Sequence, residues 1–106
     1  MTFRGGMAEL MRQASRMQRK VEARKKELEA ETISTSVGND QVKVVVNGNA
    51  ELVSIEIADA LLQSGDASMI CDLVVAGVNA GIRQSREWMD AEIEKVTGGF
   101  KIPGVT

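Results

Sequence analysis

The sequence predicts an α+β fold with a long N-terminal helix, a three-stranded antiparallel sheet and a long C-terminal helix, in that order along 106 residues. Apolar residues recur at helical spacing near both ends of the chain and at alternate positions in its middle. Turns rich in glycine and asparagine separate these regions. The length is typical of one domain, which we expect to span residues 1–106 and to pack its last helix across the sheet.

The first helix is predicted over residues 7–30, where apolar residues recur at spacings of four, three, four and seven along one narrow stripe, here called the seam. The seam residues are Leu10, Ala14, Met17, Val21 and Leu28. Arg24 stands at the seam position that is skipped, so we expect looser packing there. Gly5 and Gly6 are expected to mark the beginning of the helix.

Three strands are predicted, over residues 32–37, 41–46 and 52–57, with turns at 38–40 and 47–49. A two-residue turn at Asn47-Gly48 would set Val42 opposite Val53 and direct the apolar sides of both strands the same way. Val45 and Leu52 would then point from the opposite face of the sheet.

A short helical turn or loop is predicted over 59–65 and a long helix over 68–96, followed by a short tail. The first half of this helix is almost entirely apolar or small, and Cys71 on its apolar side is expected to be buried. The face of the sheet away from the last helix, with Val45 and Leu52, and the seam of the first helix have apolar surface that little of the chain is left to cover, which indicates a homodimer. The expected interface residues are Met17, Val21, Val45, Leu52 and Trp88.

The composition argues against an enzyme. The chain has no histidine and one cysteine, so the commonest general base and an ordinary zinc site are both missing. It has no glycine-rich phosphate loop, and we expect neither a cofactor nor a metal. The first ten residues lack a hydrophobic signal core, and no apolar run approaches the roughly 20 residues of a membrane span. We therefore expect a cytoplasmic protein that does not enter membranes.

The charge is distributed unevenly. Residues 1–26 have eight basic and two acidic residues, a net charge of +6, whereas the remaining residues have five basic and thirteen acidic residues, a net charge of −8. A basic helix joined to an acidic body is typical of a protein that meets a polyanion. A solvated helix face is the alternative, but such faces usually mix the two signs.

The basic side chains of the first helix gather on the side opposite the seam, within an arc of roughly 80° at about 100° per residue. The residues expected to contact DNA are Arg12, Arg16, Arg19 and Lys26, with Lys20 at the edge of the arc. Arg83 and Arg86 of the last helix are weaker candidates, because Glu87 and Asp90 each follow four residues later and offer ion pairs. The three aromatic residues are too few for single-strand stacking surfaces, which favours duplex DNA held by its phosphates.

Five short segments in the same order resemble the YbaB/EbfC family of nucleoid-associated proteins. They lie at residues 6–18, 42–48, 53–57, 73–80 and 97–104, and they include Val46-Asn47-Gly48, Val53-Ser54-Ile55 and Ile102-Pro103-Gly104. The chain departs from the family pattern at the turn Gly38-Asn39-Asp40 and after the third strand, where Ala58-Asp59-Ala60 lacks the usual proline. Both departures fall in turns.

The resemblance implies a bacterial, tweezer-shaped homodimer whose sheets lie at the centre and whose long helices embrace double-stranded DNA in the nucleoid. The implied function is chromosome organisation or gene regulation, with little sequence preference. The alternative is a protein-interaction scaffold, in which the first helix docks a recombination or replication protein.

Overall fold

The computed structural model describes the backbone of residues 3–99 and the side chains of residues 6–99, so the predicted tail lies outside the described residues. Three helices and three strands follow the predicted order, and the short turn before the last helix is helical. They are α1 (Phe3–Ala30), β1 (Thr32–Val37), β2 (Val42–Asn47), β3 (Leu52–Ile57), α2 (Asp59–Gln63) and α3 (Ala67–Thr97). The predicted α+β class and element order are confirmed.

Helix α1 begins at Phe3 and continues through Gly5 and Gly6, so the expectation that these glycines mark its beginning is wrong. A helical glycine costs only about 1 kcal/mol relative to alanine, which lowers helix propensity without breaking a helix. Helix α3 begins with a side-chain cap, in which Asp66 accepts a hydrogen bond from the backbone N–H of Met69. It ends at Thr97, and the left-handed backbone of Gly98 caps its last turn.

The three strands form an antiparallel sheet in the order β1-β2-β3, with α3 lying mainly over β1 and β2. The side chains of Val42, Val44 and Val46 face α3 and are completely buried together with Leu61. Helix and strand approach closely because α3 has glycines at the contact. A Cβ atom added at Gly81 would lie 2.8 Å from a methyl group of Val44 and from one of Val46.

The pairing of β2 with β3 differs from the prediction. Val42 lies opposite Ile57 rather than Val53, and a register shift between Val45 and Val46 places Leu52 opposite Val46. The turn is longer than two residues, because the side-chain oxygen of Asn47 accepts hydrogen bonds from the backbone N–H groups of Asn49 and Glu51 and holds a wider loop. The apolar sides of both strands still face the same way, since a shift of four positions keeps the alternation in phase.

The same turn fixes α1 to the sheet. The backbone N–H of Gly48 donates to the carbonyl oxygens of Leu28 and Glu31, both at 3.1 Å. A Cβ atom at Gly48 would lie 2.2 Å from the carbonyl oxygen of Leu28, so only glycine allows this approach. The carboxyl end of α1 therefore finds partners for its terminal carbonyl groups in the β2–β3 turn.

A second apolar cluster joins α1 to the distal half of α3. Val21 and Leu28 are completely buried, and Ile93 of α3 packs with them, surrounded by Trp88, Met89 and Val96. The carboxyl-terminal half of the seam is thus covered within the chain, contrary to the expectation that it lies open. The resulting molecule is elongated, with extents of 76 × 18 × 17 Å.

Candidate nucleic-acid interface

The amino-terminal part of α1 extends past the end of α3 as an arm. The two helices pack in opposite directions, since Arg24 bonds to Glu92, and Met17 lines a groove with Val96 near the end of α3. Along the seam, exposure rises from 0% at Val21 to 62% at Leu10. We define the arm as residues 3–16, which at 1.5 Å per residue is about 21 Å long.

Two of the predicted DNA-binding residues lie on this arm around one carboxylate. The guanidinium of Arg12 donates to Glu9 at 2.9 Å, and a nitrogen of Arg16 lies 3.8 Å from the other carboxylate oxygen of Glu9. Both arginine side chains remain mostly exposed, at 61% and 57%. Exposed pairs of this kind are weak, so a phosphate group can replace Glu9 as the partner of either arginine.

Arg12, Arg16 and Arg19 line one groove with Met11 and Ser15. Arg19, Lys20 and Lys26 are exposed and make no ion pair with any residue that the structure describes. Their charges are therefore not neutralised locally, and the side of α1 opposite the seam is positive along most of its length.

Arg83 and Arg86 are exposed on α3, but the ion pairs expected with Glu87 and Asp90 do not form within the described residues. Spacing of four residues permits such pairs without enforcing them, because long exposed side chains lose entropy when they pair. Arg86 instead lines a groove with Lys25 and the turn residues 48–50. The predicted reason for ranking these arginines below those of α1 is wrong.

One basic residue of α1, Arg24, has a structural role. The guanidinium of Arg24 donates to Glu92 at 2.6 Å, to Glu27 at 3.0 Å and to Glu31 at 3.3 Å. The hydrogen bond to Glu92 is the main cause that raises the pKa of Arg24. The hydrogen bonds from Lys95 and then from Arg24 lower the pKa of Glu92. Arg24 thus fills the seam position that the apolar pattern skips.

The predicted interface residues fall into different environments. The prediction that Val21 is an interface residue is wrong, because its side chain is completely buried against α3 of the same chain. Trp88 is half-buried against the same cluster, and Met17 is half-buried where α3 ends. Val45 is half-buried between Ser34 and Ser54 on the face of the sheet away from α3. Leu52 does not share that face, because the register shift pairs it with Val46.

A larger set of apolar residues is exposed, and of these only Leu52 was predicted from the sequence as an interface residue. These residues lie on β3, on α2 and on the first half of α3, and we call them together the β3–α3 surface. Its exposed residues are Leu52, Val53, Ile55, Leu62, Met69 and Val75. Cys71 of α3 is also exposed, contrary to the expectation that it is buried. The near-continuous apolar composition of residues 69–82 was the available signal, since the sheet can cover only one side of such a helix.

Within residues 6–99, histidine, cysteine and acidic side chains do not gather in threes in any arrangement that could hold a metal ion. Over the described part of the chain, no helix combines the length and the apolar character of a membrane span. The exposed cationic face of α1 is the most prominent chemical feature, and it is suited to holding anionic groups rather than to catalysis.

The fold and this face define a class of α+β protein with a basic helical arm, and the comparisons with known proteins identify the class. The sequence model of the YbaB/EbfC DNA-binding family matches residues 4–100. A nucleoid-associated protein of Myxococcus xanthus (strain DK1622) is 42% identical over 96 residues, covering 91% of each chain. One of Thermoanaerobacter sp. (strain X514) is 40% identical over 105 residues, covering 97% of this chain and 95% of the other.

A crystal structure of an uncharacterized protein from Helicobacter pylori has the same fold, with a TM-score of 0.71. It is 21% identical in sequence, and the match covers 86% of this chain and 96% of that one. The chain belongs to the YbaB/EbfC DNA-binding family. This family is not enzymatic, in agreement with the sequence analysis.

Proposed function

We propose that the protein is a nucleoid-associated protein that binds double-stranded DNA as a homodimer, through phosphates and with little sequence preference. Its place is the nucleoid in the bacterial cytoplasm, where it takes part in chromosome organisation or gene regulation. The observation that carries the proposal is the exposed cationic face of α1, which includes Arg12, Arg16 and Arg19. Lys20 and Lys26 extend this face, and Arg83 and Arg86 are further exposed basic residues on α3 that we include in the proposed DNA contact.

The length of α1 supports a duplex as the ligand. Its 28 residues extend about 42 Å at 1.5 Å per residue, which exceeds one turn of duplex DNA, roughly 34 Å. Side chains on one face of such a helix can reach several phosphates. Phosphate contacts fix the position of a protein on DNA and do not distinguish sequences. A surface with arginine and lysine side chains and few aromatic rings favours this mode over stacking on single strands.

The exposed surface supports a homodimer. The single chain exposes 7493 Å², against about 5,800 Å² for a compact protein of its mass. Part of the excess belongs to the elongated helices, and part is the β3–α3 surface, where Val53 and Val75 are 57% and 59% exposed. An apolar surface of this kind marks an interaction site. A second copy seated on it would bring the two sheets to the centre and leave both arms free, which produces a tweezer shape.

The alternative role, a scaffold that docks a recombination or replication protein, is favoured by one separate observation. Met7 and Leu10 of the arm are 61% and 62% exposed and lie away from the basic face. Apolar side chains of this size on a projecting helix are a docking feature, and they are compatible with DNA binding by the other side of α1.

A titration with fluorescent DNA tests the proposed function. Two unrelated duplexes and one single strand, all of about 30 nucleotides in length to match the reach of a dimer, are titrated with the full chain at fixed salt. The two duplexes are expected to give dissociation constants within about threefold of each other, with weaker binding of the single strand. Absence of duplex binding, or a strong preference for one duplex, would contradict the proposal.

A further inference from the structure

The seam continues along the whole of α1, including the part that α3 does not cover. Met7 precedes Leu10 by three residues, and Ala14, Met17 and Val21 follow at alternating spacings of four and three. Such spacing places every seam residue on one line along the helix, as in a coiled coil. The arm therefore has the same apolar line that α3 uses further along α1.

The seam is buried by α3 only as far as the end of that helix. Val21 and Leu28 are completely buried, Met17 is half-buried beside Val96, and Leu10 and Met7 are 62% and 61% exposed. Helix α3 stops at Thr97. Met7, Leu10 and Ala14 are the three positions of this line on the arm, and they span about two helical turns, roughly 10 Å. No described residue packs on them as α3 packs on Val21.

The contacts of α3 indicate what the seam accepts. Ile93 packs against the seam, and Glu92 beside it bonds to Arg24 at 2.6 Å. The seam thus receives an antiparallel helix that presents apolar residues flanked by carboxylates. The corresponding flank of the arm includes Arg16 and Lys20, which border the groove next to Val96 together with Gln13. This flank is complementary to carboxylates.

The basic charges of the arm indicate which molecule could cover its apolar line. Residues 1–20 have five basic residues against Glu9 alone, so the arms of two copies would repel each other along this line. A duplex held by Arg12 would lie on the far side of α1, because Arg12 is about 160° around the helix from Leu10 at 100° per residue. A duplex on the basic face would therefore leave Met7, Leu10 and Ala14 free.

We propose that the seam of the arm is a docking site for an amphipathic helix of another protein, with apolar residues at alternating spacings of three and four and with glutamate or aspartate on its flanks. The helix would lie antiparallel to α1 and continue the line of α3. The apolar line of this docking site lies on the side of α1 opposite Arg12 and Arg19, and Arg16 and Lys20 lie at the edge between the two surfaces. This inference does not depend on the proposed DNA binding.

Two synthetic peptides of about 21 residues, three heptads in length, provide the probe. Both carry leucine at the seam positions, and the flanking positions are glutamate in one and lysine in the other. Each labelled peptide is titrated with the full-length chain, with Leu10→Asp and with Ala8→Asp. Ala8 is exposed and lies well away from the seam, so the two variants change the net charge equally. Far-ultraviolet circular dichroism verifies that both variants keep the wild-type helix content.

The glutamate peptide is expected to bind the wild type and Ala8→Asp alike and Leu10→Asp more than about tenfold more weakly, because a buried carboxylate without a partner is costly. The lysine peptide is expected to bind the wild type at least about tenfold more weakly than the glutamate peptide. Equal binding of both peptides, or equal binding of both variants, overturns the proposal.

Two further outcomes would assign the seam to another occupant and also overturn the proposal. If Leu10→Asp alone lowers the sedimenting mass, a second copy covers the seam. If the glutamate peptide binds only after residues 100–106 are removed, the carboxyl-terminal segment of the chain itself occupies it. Failure of the DNA titration would leave the peptide results unchanged, because Met7, Leu10 and Ala14 take no part in the proposed DNA contact.

Discussion

Arg24 of α1 and Glu92 of α3 form a 2.6 Å hydrogen bond across the helix pair, at the seam position where an apolar residue is missing. Glu92 also accepts a hydrogen bond from Lys95 at 2.5 Å. The bond explains why the seam tolerates an arginine between Val21 and Leu28. The carboxylate of α3 meets the charge, and Glu27 and Glu31 on α1 add two more partners.

The Arg24–Glu92 ion pair predicts that the packing of α1 on α3 loses stability in acid. The hydrogen bonds from Lys95 and Arg24 hold the pKa of Glu92 below its ordinary value of 4.5, so its stabilising contribution is present above that value. The contribution is lost as the pH falls through the lowered pKa, because the folded state must then take up a proton. Urea unfolding between pH 7 and pH 3 should therefore show a smaller acid loss for Glu92→Gln than for wild type. Glu94→Gln, an exposed site on the same helix, should behave like wild type, and the same acid loss in all three proteins would contradict the assignment.

A second prediction compares two leucines of one seam. Leu28→Ala should lower the free energy of unfolding by about 2–5 kcal/mol, because Leu28 is completely buried. Leu10→Ala should change it by less than about 0.5 kcal/mol, since Leu10 is 62% exposed. Urea denaturation of both variants measures the difference. Equal losses would show that the arm is covered in solution.

A third prediction compares two helical glycines. Gly81→Ala should destabilise the protein by about 1–3 kcal/mol, because the added Cβ would lie 2.8 Å from methyl groups of Val44 and Val46. Gly6→Ala should stabilise α1 by about 0.5–1 kcal/mol, since nothing lies within 4 Å of its added Cβ. Thermal unfolding of the two variants measures whether Gly81→Ala lowers the stability and Gly6→Ala raises it. A stable Gly81→Ala variant would mean that α3 can move away from β2 without cost.

A fourth prediction concerns the homodimer. Val75 is 59% exposed in the single chain, so Val75→Asp should leave the fold intact and dissociate a dimer that uses the β3–α3 surface. Ala91→Asp adds the same charge at an exposed position of the distal half of α3 and should remain dimeric. Sedimentation equilibrium at micromolar concentration measures the masses, and the thiol of Cys71, one turn before Val75, should react faster in Val75→Asp. A folded wild-type monomer would contradict the dimer, and a dimeric Val75→Asp would place its interface elsewhere.

The helices and strands were predictable because their signals are local. The alternation of Val53, Ile55 and Ile57 and the spacing of the seam residues depend only on neighbours in the chain. The β2–β3 register was not predictable in the same way. It depends on the loop that the side chain of Asn47 organises, and Asn-Gly in a sequence favours the shorter turn.

The helix that buries the seam could not be predicted from the local sequence pattern either. Val21 is buried by Ile93, and all three strands of the sheet lie between the two residues in the sequence. The amphipathic stripe on each helix indicates that it needs a partner without saying which one. The cationic face of α1, in contrast, was predictable from residue spacing alone, although the pairing of Arg12 and Arg16 with Glu9 needed the structure.

The most direct test of the central claim is the salt dependence of duplex binding. If each protomer meets about three to four phosphates, the logarithm of affinity should fall against the logarithm of salt concentration with a slope of about −5 to −7. The double variant Arg12→Glu, Arg16→Glu removes about two contacts per protomer, so its slope should be about −2 to −4 on any duplex. Lys43→Glu reverses a charge on the exposed face of the sheet and should keep the wild-type slope. A flat salt dependence, or a folded double variant with the wild-type slope, would contradict DNA binding by the basic face of α1.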